Sequence, residues 1–314
     1  MAKPSKLALW LKELRAPFFT ASVLPVIIGT VLAYSAHNSF DLTLFILAVS
    51  ATVAIHAGAN IANDYFDHIS GNDRLNDNKT PFSGGSRMIQ NNLLSPKEIL
   101  IGSLAFFAIG AVLGIAILII TKSLFVLLLG IIGILGGYFY TATPLKLGYR
   151  TAGEITIGFL FGILPVYGSF YVQTLRFSTL PIPPGAIVAV LIFLVIFANE
   201  FPDFNADRAA NKKTLVVTLG IKNAATLYKS ILIVLCVLLI IYSIANLNSL
   251  ASAVLLIPII SISAICFKNA DAEKLAQKGY AELSKSTILL HLIGCIALVA
   301  AILLSTPHLL NIHY

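Results

Sequence analysis

The chain has 314 residues, of which 58% are hydrophobic and only 11% are charged. A soluble domain usually carries about 25% charged residues, so this composition excludes an ordinary water-soluble protein. The formal net charge of +7 is distributed as expected for membrane topology rather than for a nucleic-acid-binding surface. We therefore expect membrane lipid around the protein and no nucleic-acid partner.

Long apolar runs follow one another along the chain. A helix needs roughly 20 apolar residues to cross a bilayer. Nine runs come close to this length, with approximate cores at 18–36, 42–62, 99–120, 123–141, 153–173, 186–201, 226–246, 249–267 and 287–305. We predict an all-α membrane protein with nine transmembrane helices in one bundle, forming a single domain over residues 1–314.

The positive charges predict which side each connecting segment faces. With nine spans, five segments share one side: 1–17, 63–98, 142–152, 202–225 and 268–286. They contain 18 of the 21 Lys and Arg residues, and such segments are cytoplasmic by the positive-inside rule. We expect a multi-pass protein of the cell (inner) membrane, with the N-terminus cytoplasmic and the C-terminus outside. Most carboxylates also lie on the cytoplasmic side, and because acidic residues contribute little to topology, their crowding indicates a functional cause.

A polar stripe marks the end of the second predicted span. Asn60, Asn63, Asp64 and Asp67 are spaced three and four residues apart, and residues at these spacings share one face of a helix. The preceding residues are apolar, so the stripe is expected where the helix leaves the hydrocarbon core.

A matching stripe follows the sixth predicted span. Asn199, Asp203 and Asp207 are four residues apart and would also share a helix face. Pro202 is expected to kink or interrupt this helix, because proline lacks an N–H and clashes with the preceding turn. The two stripes repeat the same chemistry on the same side of the membrane.

Two aspartate stripes that face one cavity would repel each other. Like charges about 6 Å apart repel by roughly 3 kcal/mol at an effective dielectric constant near 20. Protonation or a divalent cation would relieve this repulsion, and Mg²⁺ favours carboxylate oxygens completed by substrate phosphates. The stripes therefore predict a binding site for Mg²⁺ and a diphosphate group. The alternative is that these aspartates cap helices or pair with nearby Lys and Arg side chains.

The loop between the first stripe and the third span has the composition of an anion-binding segment. Gly84 and Gly85 would let backbone N–H groups approach an anion, and Lys79 and Arg87 add positive charge. Taken alone, paired glycines are an ordinary flexible turn. Beyond the second stripe, residues 212–213 are both lysines that either serve the same anion or only set the topology.

These motifs resemble those of the UbiA superfamily of intramembrane prenyltransferases, which have nine transmembrane helices and two Asp-rich motifs at cytoplasmic helix ends. The first motif, roughly NDxxDxxxD, is similar to Asn63-Asp64-x-x-Asp67. The second, DxxxD, is similar to Asp203-x-x-x-Asp207. The resemblance covers most of residues 10–222.

The chain departs from the family pattern at one position. Gly71 stands where the third aspartate of the first motif is expected. Asp73 is the candidate replacement, and the alternative is that it is a solvated loop residue. The segment from Tyr140 to Lys146 is also similar to a Tyr/Pro/Lys loop of the family.

The resemblance implies an enzyme that uses Mg²⁺ to transfer a polyprenyl group from a polyprenyl diphosphate to an aromatic acceptor, with its active site on the cytoplasmic side. The implied metal and catalytic residues are Asp64, Asp67, Asp203 and Asp207, with Asp73 as a candidate fifth ligand. Lys146 is implied to stabilise the departing diphosphate. The implied substrate-binding residues are Asn60, Asn63, Lys79, Arg87, Tyr140, Arg150 and Asn199.

Within the superfamily, residues 60–71, 81–96 and 148–173 are most similar to the branch that prenylates 1,4-dihydroxy-2-naphthoate, with decarboxylation, in menaquinone biosynthesis. Arg150 is the candidate partner of the acceptor carboxylate. Branches that act on hydroxybenzoate, homogentisate, a glyceryl phosphate or a porphyrin share many of these stretches and stay open. From another class, a cation-coupled transporter is the alternative, because intramembrane carboxylates often mark ion paths. A transporter would place charges near mid-span, and the apolar cores have none.

Overall fold

The computed structural model describes residues 5–305, and this part of the chain contains helices and turns but no β-strand. The helices are α1 (Lys6–Glu13), α2 (Thr20–His37), α3 (Leu42–Ser70), α4 (Asn72–Leu75), α5 (Pro96–Thr121), α6 (Leu124–Phe139), α7 (Gly153–Gly158), α8 (Leu164–Thr174), α9 (Ile182–Ala209), α10 (Leu215–Asn246), α11 (Ser249–Asn269), α12 (Ala272–Leu275) and α13 (Glu282–Leu304). The prediction of an all-α protein is confirmed.

Eight helical stretches of the described chain are long and apolar enough to cross a membrane. They match eight of the nine predicted spans, with α1 and α2 joined into one stretch through a 3₁₀ turn at Ala16–Phe19. The remaining predicted span is α6, which has 16 residues and is therefore only about 24 Å long. The number of nine transmembrane helices and the orientation of the termini stay predictions.

The two helices that carry the aspartate stripes continue well beyond their apolar cores. Helix α3 ends at Gly71, whose φ of 81° is a conformation that glycine adopts without a steric penalty. Pro202 does not interrupt α9, which continues to Ala209. Because Pro202 has no N–H, the carbonyl of Ala198 loses its helical partner, and the Ser284 hydroxyl of α13 donates to that carbonyl at 3.2 Å.

A single π-helical turn, Phe159–Ile163, joins α7 to α8. At this turn a Cβ added to Gly162 would lie 2.4 Å from the Cα of Ala189, so the backbones of the turn and α9 are in direct contact. Such π turns are frequent at functional sites. Here the turn places Phe161 on the wall of an internal cavity.

Helix α9 lies at the centre of the bundle, packed against α2, α7, α10 and α13. Its Leu191, Leu194 and Phe197 are fully buried in the main core. The outermost helices instead expose large apolar side chains, such as Ile119 at 68% and Ile244 at 81%. An apolar exterior of this extent is what a protein surrounded by lipid requires.

Candidate active site

The two aspartate stripes face a common cavity, here called the polar cavity. Its walls are the ends of α3 and α9, the start of α4, the loop around Gly85 and the residues between α1 and α2. Of the candidates predicted from sequence, those that line it are Asn60, Asn63, Asp67, Asp73, Tyr140, Asn199, Asp203 and Asp207. The distant stripes are therefore brought together as expected.

Asp64 lies just behind this wall and meets the glycine loop. Its Oδ2 accepts a 2.9 Å hydrogen bond from the Ser86 N–H, and its Oδ1 is buried without a partner among the described residues. A Cβ added to Gly85 would lie 3.1 Å from Oδ1 of Asp64 and 3.1 Å from Oδ1 of Asp73. The loop therefore depends on glycine here, because its backbone passes between two carboxylates.

Asp73 is not the solvated loop residue of the alternative interpretation. It is 4% exposed, and its Oδ2 accepts a 2.9 Å hydrogen bond from Gln90. Burial, together with repulsion from Asp67 and Asp64, raises the pKa of Asp73 to about 8. Asp73, on the short α4 helix, thus lies near the carboxylates of Asp64 and Asp67.

We expect Asp73→Asn to lower turnover about 10-fold or more, close to the effect of Asp67→Asn, since both would remove charge from one cation-binding cluster. The variant keeps a group that can accept from Gln90, so folding should be preserved. Steady-state rates over a Mg²⁺ titration test this. A change below about threefold, worth well under 1 kcal/mol, would remove Asp73 from the site.

Lys212 connects the two motifs. Its ammonium lies 3.5 Å from Oδ2 of Asp67 and 3.7 Å from Oδ1 of Asp207. Burial opposes the charged form, but attraction to Asp207 and Asp67 holds the pKa of Lys212 well above its usual value. This buried ammonium lines the polar cavity, and it is the cation that a diphosphate between the motifs would meet.

Neutral donors complete the two motifs. The Tyr149 hydroxyl donates to Oδ1 of Asp67 at 2.5 Å, and burial together with Asp67 raises the pKa of Tyr149, so it stays a donor. The Asn72 amide donates to Oδ1 of Asp207 at 2.9 Å. The Asn76 amide likewise donates to Oδ1 of Asp203 at 2.7 Å. The chain after α3 is thereby tied to the second motif.

The Lys and Arg side chains that the sequence predicted for the site lie outside the polar cavity. Lys79 donates to the Ser86 carbonyl at 3.4 Å, and Arg87 donates to the carbonyls of Gly84 and Asn76. Both therefore brace the glycine loop. The Lys146 ammonium lies over the Tyr149 ring, 5.2 Å from its centroid, and Arg150 is exposed. None of these four cations lines the polar cavity as the described residues form it.

The cations that do reach the cavity are Lys212 and Arg15. Arg15 adopts a φ of 52° before the 3₁₀ turn, and its guanidinium stacks on the Phe18 ring at 4.8 Å. The sequence left open whether Lys212 binds an anion or only sets the topology, and it did not indicate Arg15 as a site residue. The available signal for Arg15 was its position just before the first apolar run.

The donor set fits Mg²⁺ bound together with a diphosphate. Within residues 5–305, no three His, Cys, Asp or Glu side chains are close enough to hold a metal ion by themselves. Mg²⁺ typically takes one or two carboxylates from the protein and completes its shell with waters and phosphate, so its site need not consist of side chains alone. The buried, unpartnered Oδ1 of Asp64 is the kind of oxygen such an ion requires.

A second, apolar cavity continues from the first between α2, α3, α5, α6 and α8. The two share His56, Ala59, Gly137, Leu160 and Phe161. As predicted from sequence, His56 forms a bond between helices: its Nδ1 lies 2.6 Å from the Ser22 hydroxyl. A charged compartment thus leads directly into a hydrocarbon-lined one.

Comparison with known sequences decides the family. The sequence model of the UbiA prenyltransferase family matches residues 22–285. The chain belongs to this family. The expectation from the motifs is confirmed, and UbiA members are prenyltransferases, which assigns the chain to that class of enzyme.

Two bacterial relatives of this UbiA protein are named 1,4-dihydroxy-2-naphthoate octaprenyltransferase. The chain is 33% identical to the Bacillus subtilis (strain 168) protein over 208 residues, which cover 66% of this chain and 65% of the relative. It is 30% identical to the Escherichia coli (strain K12) protein over 251 residues, which cover 78% and 80%. The chain thus spans just under two thirds of the Bacillus protein's length.

The fold of this UbiA protein also agrees with a solved structure. A UbiA homolog from Archaeoglobus fulgidus bound to GPP and Mg²⁺ superposes with a TM-score of 0.69, covering 93% of this chain and 99% of the homolog. The two sequences are 17% identical, so the likeness establishes the fold alone.

Proposed function

We propose that this UbiA protein transfers a polyprenyl group from a polyprenyl diphosphate to 1,4-dihydroxy-2-naphthoate, with decarboxylation, using Mg²⁺ at the cytoplasmic side of the cell membrane. The observation that carries the proposal is the polar cavity, where two aspartate motifs joined by Lys212 open into an apolar cavity. This arrangement suits a molecule with a highly charged head and a long hydrocarbon tail. The bacterial relatives' names support the choice of acceptor.

The aspartates of both motifs would hold Mg²⁺, and Asp73 would add a further carboxylate from α4. When bound, Mg²⁺ supplies charge neutralisation of the diphosphate and so favours breakage of the allylic C–O bond. Lys212 lies between Asp67 and Asp207 and stabilises the negative charge that develops on the leaving group. Asn60 and Asn199 each have one buried amide atom without a partner among the described residues, and these amides are available to orient the substrates.

The apolar walls protect the reaction from water. Phe161 and Leu160 stand where the two cavities join, so the reacting carbon would sit between the charged and hydrocarbon compartments. Water excluded from this junction cannot quench an allylic cation before the ring attacks it. The same walls would position the tail along α5 and α6.

Carbon dioxide release tests the acceptor. Purified protein, Mg²⁺, a polyprenyl diphosphate and carboxyl-labelled naphthoate are expected to release one labelled carbon dioxide per prenyl group transferred, because the carbon that is prenylated carries the carboxylate. Hydroxybenzoate in parallel distinguishes the branches, since its carboxylate is retained. Efficient hydroxybenzoate prenylation with an untouched naphthoate would overturn the acceptor and leave prenyl transfer intact.

Two glycines in the wall of the apolar cavity predict where a larger side chain would limit the length of the prenyl tail that the enzyme accepts. A Cβ added to Gly114 or Gly130 meets nothing within 4 Å, and both residues line that cavity. We expect Gly130→Leu to narrow the cavity and to reduce turnover of long prenyl diphosphates about 10-fold relative to geranyl diphosphate. The matched control is Leu128→Phe on the exposed face of the same helix. Equal rates on all tail lengths in Gly130→Leu would place the tail elsewhere.

A further inference from the structure

Two buried glutamates outside both aspartate motifs meet at the wall of the polar cavity. Glu154 on α7 is 1% exposed and Glu200 on α9 is 7% exposed. Their carboxyl groups lie within interaction distance of each other, and the Oε2 atom of each is buried without a hydrogen-bond partner among the described residues. Two negative charges side by side in a buried setting repel strongly, so the pair is stable when it keeps one proton between these two oxygens.

The two members of the pair have different surroundings. Oε1 of Glu154 accepts a 2.7 Å hydrogen bond from the Leu215 N–H at the start of α10, which fixes this side chain from behind. Glu200 lines the polar cavity, and its buried Oε2 accepts no hydrogen bond from the described residues. Glu154 therefore holds Glu200 in place, and Glu200 alone faces the substrates.

Lys212 is near enough to attract both glutamates, but its salt bridges within the described residues are with Asp67 and Asp207. Glu200 is one helical turn before Asp203 and beside Asn199, at the level where the cavity changes from charged to apolar walls. A ring placed against the reacting carbon of the prenyl group would have its polar substituents at this level.

We propose that Glu200 is the base that takes the proton from the ring hydroxyl of the aromatic acceptor, with Glu154 as its positioning residue. This inference rests on the proposed function. With one proton already shared, the pair carries a single negative charge. Uptake of the acceptor's proton leaves both groups neutral, which is the state that burial favours.

The bonds and charges balance without another reactant. The hydroxyl proton moves to Glu200, the oxygen's electrons enter the ring, and the ring carbon bonds to the first carbon of the prenyl group. The allylic C–O bond breaks, and its electron pair leaves with the diphosphate. In the naphthoate, the prenylated carbon lies next to the new ketone and loses carbon dioxide. The electrons return to the oxygen, which takes the proton back from Glu200.

The test separates breakage of the C–O bond from attack by the ring. Glu200→Gln keeps the size of the side chain and its contact with Glu154 but cannot take up the proton. Transfer to naphthoate is expected to fall about 100-fold or more. Exchange of a labelled bridging oxygen within the prenyl diphosphate, which reports C–O breakage without ring attack, should stay within about twofold of wild type. Glu154→Gln, which leaves Glu200 as a carboxylate, should lose about 10-fold.

A series of acceptors with increasingly acidic hydroxyl groups provides the decisive readout. If Glu200 removes the proton, the loss in Glu200→Gln should shrink as the hydroxyl becomes more acidic, because such acceptors ionise without help. A loss that is equal for all acceptors, or that includes oxygen exchange, would overturn the inference and assign the pair a structural role. Failure of the proposed function would look different, since wild-type protein would then prenylate no ring in the series.

Discussion

Asp64→Asn and Asp203→Asn are each expected to lower turnover by about 10²–10³-fold, the loss typical of removing one group that stabilises charge in a transition state. Each substitution keeps the size of the side chain. Asparagine at 64 can still accept from the Ser86 N–H, and asparagine at 203 can still accept from the Asn76 amide. What each variant loses is one negative charge from the set of oxygens proposed to hold Mg²⁺.

The matched control for these two variants is Asp77→Asn. Asp77 lies in the loop that follows α4, but its side chain is 77% exposed and pairs with Lys278 at the surface. This variant should keep wild-type rates, because exposed ion pairs contribute little. Rates after chelation and after return of Mg²⁺ complete the measurement. Near-normal turnover in either Asp64→Asn or Asp203→Asn, with chelated wild type still active, would contradict the Mg²⁺–diphosphate site.

Lys212→Met is expected to raise the KM for prenyl diphosphate about 10- to 100-fold, because a hydrogen bond to a charged group is worth roughly 1.5–3 kcal/mol. It should also destabilise the protein by about 3 kcal/mol without metal, since Asp67 and Asp207 would be left buried without their common cation. Mg²⁺ should restore part of that stability by supplying positive charge to the same oxygens. Initial rates and thermal unfolding in detergent, with Mg²⁺ or a chelator, measure both effects.

Lys213→Met is the control for this change. Lys213 is the next residue, its side chain is exposed, and its backbone N–H donates to the Tyr149 carbonyl at 3.1 Å. It should change neither KM nor the response of thermal unfolding to Mg²⁺. If the Met variants at 212 and 213 behaved alike, the lysine pair would act through general surface charge, and Lys212 would have no specific role at the diphosphate.

The sequence by itself was sufficient for features that depend on neighbours along the chain. Apolar runs separated by polar segments predicted the helices, because the cost of placing backbone polar groups in lipid leaves helices as the only option for such runs. The spacing of Asn60, Asn63 and Asp67 predicted one helix face, because side chains three and four residues apart overlap on any α-helix. Both predictions depend only on residues close together in the sequence and do not require knowledge of the tertiary fold.

Only the tertiary structure decided which groups from different elements meet. Lys79, Arg87, Lys146 and Arg150 have the right charge, yet they brace loops or stay outside the polar cavity, whereas Lys212 and Arg15 enter it. Loop residues have no fixed period, so their direction is set by the contacts of the fold.

Tertiary contacts also decided the positions of Asp73 and of the pair formed by Glu154 and Glu200. Position 71 carries glycine because α3 ends there with a positive φ, and the chain then turns so that α4 returns a carboxylate to the first motif. Glu154 and Glu200 are 46 residues apart in sequence, and nothing local indicates that their side chains meet. Their contact exists because α7 packs on α9, and such packing depends on surfaces far apart in the chain rather than on the spacing within one helix.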